Sequence, residues 1–196
     1  YGATLTIPNN KKKYPLAILI SGTGQHDRNY TFMGRESFTV LADYLARNGI
    51  ASLRVDDRGF GKTTGDFENA TTGDFANDIE EEIEYLKSDK NVDASYIGLI
   101  GHSEGGMIAS IVSSRNKEVK FMISLSGVGV SGLEMLNLQN TAILKSFNFT
   151  DEVVAKQMEL YNIHEVAIPQ IPYIKIPWTW LQVAMFLNLR TNPKMG

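Results

Sequence analysis

Cysteine is absent from this chain of 196 residues. Its absence excludes disulfide bonds, a cysteine nucleophile and metal sites built on thiolates, although it does not select a cellular compartment. The chain also lacks a strong charge of either sign, because its formal net charge is −3 and its one basic run is at positions 11–13. Binding to nucleic acid requires a more basic surface, so we do not expect nucleic acid as a partner.

Long apolar runs are missing as well. No signal peptide is visible, and the apolar stretch 176–189 is too short to span a bilayer. The chain begins at Tyr1 rather than Met, so we expect that an upstream segment has been removed, and both a cytoplasmic and an exported location stay open. Hydrophobic residues make up 43% of the chain and charged residues 21%, which is typical of a globular protein.

A serine stands at the centre of the most informative motif, Gly101-His102-Ser103-Glu104-Gly105. An apolar run at 96–100 precedes the motif, and a helix-like stretch at 107–112 follows it. Glycine at both ends permits a turn too sharp for a side chain, and the serine then lies at the positive end of a helix. The pattern G-x-S-x-G between a strand and a helix predicts a nucleophile elbow with Ser103 as the nucleophile. The alternative is an ordinary connection that happens to carry serine.

A glycine-rich loop, Ser21-Gly22-Thr23-Gly24, follows the apolar run 16–20. In α/β hydrolases, one oxyanion-hole donor comes from a loop of this kind and the other is the backbone N–H after the nucleophile. We therefore assign the two donors to the N–H groups of Thr23 and Glu104, with Gly24 as the alternative to Thr23. A phosphate-binding loop is disfavoured, because position 27 is Asp where G-x-G-x-x-G requires Gly.

A second loop needs a separate interpretation, since Gly61-Lys62-Thr63 is similar to the end of a Walker A motif. Asp56 occupies the position of the first glycine of that motif, and the sequence continues as loop where a helix should begin. We interpret the segment as a structural turn at the end of a strand, stabilised by Arg58.

Strand-like and helix-like segments alternate as far as residue 127. This alternation predicts an α/β fold with a mostly parallel, doubly wound sheet. The predicted strands are 3–7, 16–20, 50–55, 96–100 and 121–125. One predicted helix directs Phe38, Leu41, Tyr44 and Leu45 to the core, and a second directs Phe75, Ile79, Ile83 and Leu86 there, with Glu80, Glu81, Glu82 and Glu84 on its solvated face.

The pattern becomes purely helical after residue 127. We expect two domains, a core at 1–127 and a helical cap at 128–196. Within the cap the sequence predicts a helix around 133–147, a second one beginning at 150–152, and an apolar third one at 178–189. We expect the third helix to pack over the active site, and the alternative is a lipase-like lid that meets a lipid interface.

Three motifs in this order resemble the bacterial α/β-hydrolase esterases, a group also labelled acyl esterase, dienelactone-hydrolase-like or serine-aminopeptidase-like hydrolase. They are the stretches 19–29, 53–62 and 100–106. The resemblance implies an α/β-hydrolase fold with a helical cap after the sixth core strand, and a Ser-His-Asp triad that acts on a small-molecule ester or acyl substrate. It implies no cofactor and no metal. The alternatives are a peptidase or thioesterase on the same fold, and a non-catalytic protein that kept the fold.

The chain departs from that family in its triad. The family's acid and histidine follow the nucleophile, each after a core strand. After Ser103 this chain has one aspartate, Asp151, and one histidine, His164, and both fall in the predicted cap. We therefore expect that the last core strands, with the acid and the base, lie beyond Gly196. A chain that truly ended there would expose an apolar sheet edge, and we expect such a chain to aggregate or dimerise.

Two further histidines precede Ser103. We expect His102 to pack beneath the turn, and His26 to shape the oxyanion loop rather than to act as the base. His164 follows Ser103, which is the correct chain order for a base, but it falls on a predicted cap helix. We therefore favour a histidine beyond Gly196 over His164 as the base. A base must come within hydrogen-bonding distance of the serine hydroxyl.

Overall fold

The computed structural model describes residues 1–9 and 13–167, with side chains up to Glu159. The apolar stretch 176–189 and its predicted helix therefore lie outside the described residues, as do two of the three lysines at 11–13. The chain divides into two compact units, Tyr1–Val128 and Gly129–Gly196. Each unit is considered by itself.

The first unit alternates strands and helices, whereas the described part of the second unit is helical. The elements of the first unit are β1 (Ala3–Thr6), β2 (Tyr14–Ile20), β3 (Thr31–Phe32), β4 (Arg35–Glu36), α1 (Ser37–Arg47), β5 (Ala51–Val55), α2 (Thr72–Lys87), β6 (Val92–His102), α3 (Glu104–Arg115) and β7 (Val119–Leu125). Those of the second unit are α4 (Gly132–Ser146) and α5 (Asp151–Ala167).

Five strands form one sheet in the order β1-β5-β2-β6-β7. β1 runs antiparallel to β5, while β5, β2, β6 and β7 run parallel to their neighbours. The predicted α/β fold with a mostly parallel sheet is thus confirmed. Because parallel strands end at the same edge, the loops that follow β2, β5 and β6 meet there, which is where α/β proteins bind their ligands.

Alternating side chains of β2 enter two separate cores. Leu16 and Ile18 belong to a core that includes buried residues of α2 and α3. Ala17 and Leu19 belong to the core of α1. Helices therefore cover both faces of the sheet, as a doubly wound arrangement requires.

α1 confirms most of its predicted core face, but not Tyr44. Phe38 and Leu45 are buried, and Leu41 packs against them. Tyr44 is 64% exposed, so its predicted core position is wrong. It follows Phe38 by six residues, which is about 120° away from it around the helix axis. Gly49, with a φ of 81°, follows the helix end, a position where glycine is favoured.

α2 begins after Thr71, whose side chain and that of Asp74 form a reciprocal capping box. Its predicted apolar face is confirmed, but one of the four glutamates assigned to the solvated face is not solvated. Glu82 is only 6% exposed. It follows Phe75 by seven residues, close to two full turns, and so lies on the apolar side of the helix.

β7 lies at one edge of the described sheet, and its apolar side chains are partly open to solvent. The exposed fractions of Phe121, Met122 and Ile123 are 37%, 36% and 45%. The aggregation or dimerisation expected of an open apolar edge stays a prediction.

The second unit contains the two helices that the sequence predicts in this stretch. The side chain of Ser131 caps α4 by accepting the N–H of Glu134 at 3.3 Å, and Thr150 Oγ1 accepts the N–H of Val153 at 3.4 Å beside the start of α5. No helix among the described residues is long and apolar enough to cross a membrane.

Burial perturbs the carboxyl group of Glu82. Desolvation, together with the negative charges of Asp78 and Asp57, raises the pKa of Glu82 from 4.5 to about 8. Its Oε2 has no hydrogen-bond partner among the described residues. The folded chain thus keeps this proton at pH values where the unfolded chain has lost it. The contribution of Glu82 to stability is complete below its ordinary pKa and is lost as the pH rises to about 8.

We expect Glu82→Gln to flatten the decline in stability with rising pH. Relative to the wild type, the free energy of unfolding of the variant should gain roughly 1–3 kcal/mol between about pH 5 and pH 8. Urea denaturation at a series of pH values measures this difference. Part of the wild-type slope remains, because burial also raises the pKa of Asp57, to about 7.

Glu84→Gln is the matched control. Glu84 lies on the same helix but is exposed, where it pairs with Lys87 at 3.1 Å. This variant should keep the wild-type slope. An unchanged slope in Glu82→Gln would contradict the buried, protonated state of Glu82.

Candidate active site

Ser103 forms the whole connection between β6, which ends at His102, and α3, which begins at Glu104. Its backbone has a φ of 54° and a ψ of −117°, values that a residue with a side chain rarely adopts. Such a conformation costs about 1–3 kcal/mol and persists only where neighbouring structure enforces it. Here the N–H of Ser103 donates to Leu125 O at 2.9 Å, and Ser103 O accepts the N–H of Gly106 at 3.0 Å.

Glycines surround this turn because the backbone segments are in contact. A Cβ atom on Gly101 would collide with the backbone of Gly105. One on Gly105 would collide with the backbone oxygens of Ile20 and Ser21 at the end of β2. The second collision shows that the loop after β2 packs directly on the first turn of α3.

The loop after β2 also reaches Ser103 itself. A Cβ atom on Gly22 would lie 3.1 Å from Ser103 Cβ and 2.9 Å from Tyr30 Oη. The structure therefore brings Ser103 and the loop that contains Thr23 together at the carboxyl edge of the sheet. Glu104 is the first residue of α3, and the N–H groups of a helix's first turn have no partner within the helix. Its side chain accepts a hydrogen bond from Thr72 Oγ1 at 2.9 Å.

Asp57, which follows β5, anchors both ends of the same loop. Its Oδ1 accepts from Ser21 Oγ at 2.9 Å, and its Oδ2 accepts from the N–H of His26 at 2.7 Å. Burial raises the pKa of Asp57 to about 7; these two hydrogen bonds oppose the shift, and the charges of Asp56 and Glu104 add to it. Burial therefore favours the protonated carboxyl, whereas the two hydrogen bonds favour the ionised form that accepts them.

Asp56 anchors the following segment. It accepts hydrogen bonds from the backbone N–H of Arg28 at 2.9 Å and from Arg28 Nη2 at 2.6 Å, as well as from the N–H of Lys62 at 3.1 Å. Burial opposes ionisation of this carboxyl, but the bonds from Arg28 and Lys62 outweigh it and hold the pKa of Asp56 below its ordinary value. Arg58 also stabilises this turn, as predicted. Its Nη2 donates to Asp78 Oδ1 on α2 at 2.8 Å.

The two histidines near the turn are both engaged by neighbours. His26 Nε2 lies 3.1 Å from Thr23 O, and because a carbonyl only accepts, this nitrogen carries the proton. Burial lowers the pKa of His26. His102 Nδ1 lies 2.8 Å from Tyr30 Oη. His26 thus contacts the loop that it was expected to shape.

Asp151 and His164 belong to the second unit. Asp151 is the first residue of α5 and forms an exposed ion pair with Lys145 at 3.1 Å. His164 lies within α5, and its side chain is outside the described part, so its candidacy as a base stays a prediction.

A cleft opens beside the loop after β2, under the first turn of α3. Its walls are shared between the loops at the carboxyl edge of the sheet and α2, and they include Gly22, Gly24, Asp57, Phe67, Phe75, Glu82 and Glu104. Within the described ranges, no group of three or more His, Cys, Asp or Glu side chains is arranged to hold a metal ion.

Sequence reasoning missed two residues that organise this region. Asp57 could have been found, since it is the second residue after a buried strand, in the Asp56-Asp57-Arg58 run. Tyr30 carries no such signal. Its contact with His102 joins positions 72 residues apart, and only the fold brings them together.

A model of the serine aminopeptidase S33 family matches residues 17–163. The matched range contains the loop after β2, the Asp56-Asp57 segment and the Ser103 turn.

Relatives of known activity or structure point to the same fold. Esterase EstD of Thermotoga maritima is 28% identical over 113 residues, which are 58% of this chain and 27% of the relative. Est1E of Butyrivibrio proteoclasticus, solved with ferulic acid bound, is 32% identical with a TM-score of 0.53, and the match covers 64% of this chain and 48% of that one.

The α/β hydrolase GrgF from Penicillium sp. sh18 has a similar fold, with a TM-score of 0.55 at 19% identity over 73% of this chain and 47% of that one. This chain therefore spans between about a quarter and about a half of the length of these three proteins, at 27%, 48% and 47%.

We expect Gly101→Ala to destabilise the fold, because the added methyl group meets backbone atoms that cannot rotate away. Overpacking of this kind typically costs about 1–3 kcal/mol, and thermal unfolding measures the loss. Gly73→Ala is the control: it lies in the first turn of α2, and its Cβ would meet Thr71 Oγ1 at an ordinary 3.5 Å. Equal melting temperatures for the two variants would contradict the tight packing of the turn.

Proposed function

Since the chain belongs to the serine aminopeptidase S33 family, a family of the α/β-hydrolase superfamily, we propose that it is a serine hydrolase that cleaves carboxylic esters through an acyl-enzyme. The observation that carries this proposal is the strained Ser103 turn, held at the carboxyl edge of the sheet against the loop that contains Thr23. This strand–turn–helix geometry supports a nucleophile elbow.

The proposed reaction begins when Ser103 Oγ attacks the ester carbonyl and gives its proton to a histidine base. The N–H groups of Glu104 and Thr23 stabilise the oxyanion, with Gly24 as the alternative to Thr23. One such donor is typically worth about 10²–10³ in turnover. The intermediate collapses as the alcohol leaves with the proton, and water then hydrolyses the acyl-serine bond and regenerates Ser103.

We assign the base and its carboxylate partner to a region of the full-length protein that corresponds to the part of the relatives which this chain does not span. Two observations support this assignment. His26 and His102 are occupied by Thr23 and Tyr30. Asp151 is engaged at the surface of the second unit by Lys145. We further propose that 128–196 form a helical cap, for which the consecutive helices α4 and α5 give support.

Hydroxycinnamate esters are the first substrates to test. Est1E, solved with ferulic acid bound, is 32% identical to this chain, which makes methyl ferulate a reasoned choice beside simple p-nitrophenyl esters. The second candidate is a peptidase, because the matching family is described as serine aminopeptidase. Aminoacyl p-nitroanilides tested in parallel with the esters separate the two activities.

We expect Ser103→Ala in the full-length protein to abolish both ester turnover and labelling by a fluorophosphonate. Loss of a catalytic serine lowers turnover by roughly 10⁴–10⁶-fold, down to the level that the remaining groups support. Steady-state rates and intact-mass spectrometry measure the two losses.

Ser114→Ala provides the control. Ser114 is exposed on the same helix, α3, and its hydroxyl donates to Ile111 O within that helix. This variant should label and turn over like the wild type. Undiminished turnover in Ser103→Ala would rule out the proposed nucleophile.

A further inference from the structure

Tyr30 connects the two parts of the candidate active site through a single oxygen atom. Its Oη lies 2.8 Å from Nδ1 of His102, the residue directly before Ser103. The same oxygen lies against Gly22, the residue directly before Thr23, because a Cβ atom on Gly22 would be only 2.9 Å from it. The Tyr30 hydroxyl donates this bond when Nδ1 of His102 carries no proton.

The surroundings of Tyr30 hold its ring in one orientation. Its ring centroid lies 4.7 Å from that of Phe38 and 4.7 Å from that of His26, the latter at an edge-on angle of 88°. Its backbone has a φ of 53°, which is strained for a residue with a side chain, and its N–H donates to Asp27 O at 2.9 Å. Strain of this kind is found where function requires a residue in one particular place.

Tyr30 and His26 contact the loop on either side of its candidate donors. Tyr30 Oη lies against Gly22, and the next N–H groups along the chain are those of Thr23 and Gly24. His26 Nε2 holds Thr23 O at 3.1 Å, and this contact fixes the peptide plane between Thr23 and Gly24 from the other side. The two peptide groups that carry the candidate donors therefore adjoin the contacts with Tyr30 and with His26.

We propose that Tyr30 is a positioning residue, whose hydroxyl group holds the N–H donors of the loop after β2 at a fixed distance from Ser103. This inference rests on the proposed function. Tyr30 acts through Gly22 and His102 and does not itself touch the substrate. Burial raises the pKa of Tyr30, so the hydroxyl keeps the proton that it donates.

The test is Tyr30→Phe in the full-length protein, with p-nitrophenyl butyrate as substrate. This variant keeps the ring and removes only the bridging oxygen. We expect kcat to fall about 10–100-fold, as misplaced oxyanion donors would cause, while KM changes less than about twofold. The rate of phosphonylation by a fluorophosphonate should fall in parallel, and the ³¹P resonance of the serine adduct should shift.

Two controls distinguish the effect of this hydroxyl group from the effect of losing any tyrosine hydroxyl and from the effect of weaker core packing. Tyr44→Phe removes the hydroxyl of an exposed tyrosine on α1 and should leave kcat unchanged. Ile83→Val removes a methyl group from the core on the other face of the sheet and should lower the melting temperature with little change in kcat. A kcat in Tyr30→Phe within twofold of the wild type would overturn the proposal, and so would an equal loss of kcat in Ile83→Val.

A second pair of variants keeps the proposal testable if Tyr30→Phe does not fold. His102→Asn places an acceptor near the position of Nδ1, whereas His102→Leu removes it. We expect kcat to be largely retained in the first and to fall in the second, and equal values in the two would overturn the proposal. Failure of the proposed function is distinguishable, because Ser103→Ala would then remain active whatever these variants do.

Discussion

Two adjacent carboxylates at the end of β5 hold the candidate active site together. Asp57 binds the loop after β2 at Ser21 and at His26, and Asp56 binds the next residues of that loop through Arg28. Asp56 also accepts the N–H of Lys62, so the two loops at the carboxyl edge of the sheet share one set of acceptors. The pairing of Ile20 with Gly101 brings the start of this loop beside Ser103, and the two carboxylates hold the part of the loop that follows.

Burial opposes the charge of both carboxylates, but their pKa values shift in opposite directions. Asp56 has a guanidinium partner, and its pKa lies below the ordinary value. Asp57 has only neutral donors and negative neighbours, and its pKa is raised to about 7. Burying a charge without a counter-charge lowers stability, and natural proteins keep such groups where they position something else. In this chain the group positioned by Asp57 is the loop that packs on the first turn of α3.

The sequence predicted those parts of the molecule that depend on local patterns. Continuous apolar runs marked the buried strands, and the Ser103 turn could be recognised because glycine must stand where two backbones touch. The predictions for Tyr44 and Glu82 were wrong because each residue was assigned to a helix face without regard to its angular position around the helix axis. Tyr30 could not have been predicted, since its role arises from a contact between a loop and a strand end that are distant in sequence. The side chain of His164 and the stretch 176–189 lie beyond the described part of the chain.

Ser103 owes its conformation to hydrogen bonds and close contacts with residues of β2 and β7, which are far from it along the chain. In an unfolded or partly synthesised chain these contacts do not exist, and the serine is an ordinary alcohol without backbone donors around it. The nucleophile that we propose would therefore come into being only when the parallel strands have paired, so a newly made chain carries no reactive group before it has folded. For the same reason, the extent to which a reagent labels this serine would measure the folded fraction in a mixture of folded and unfolded protein.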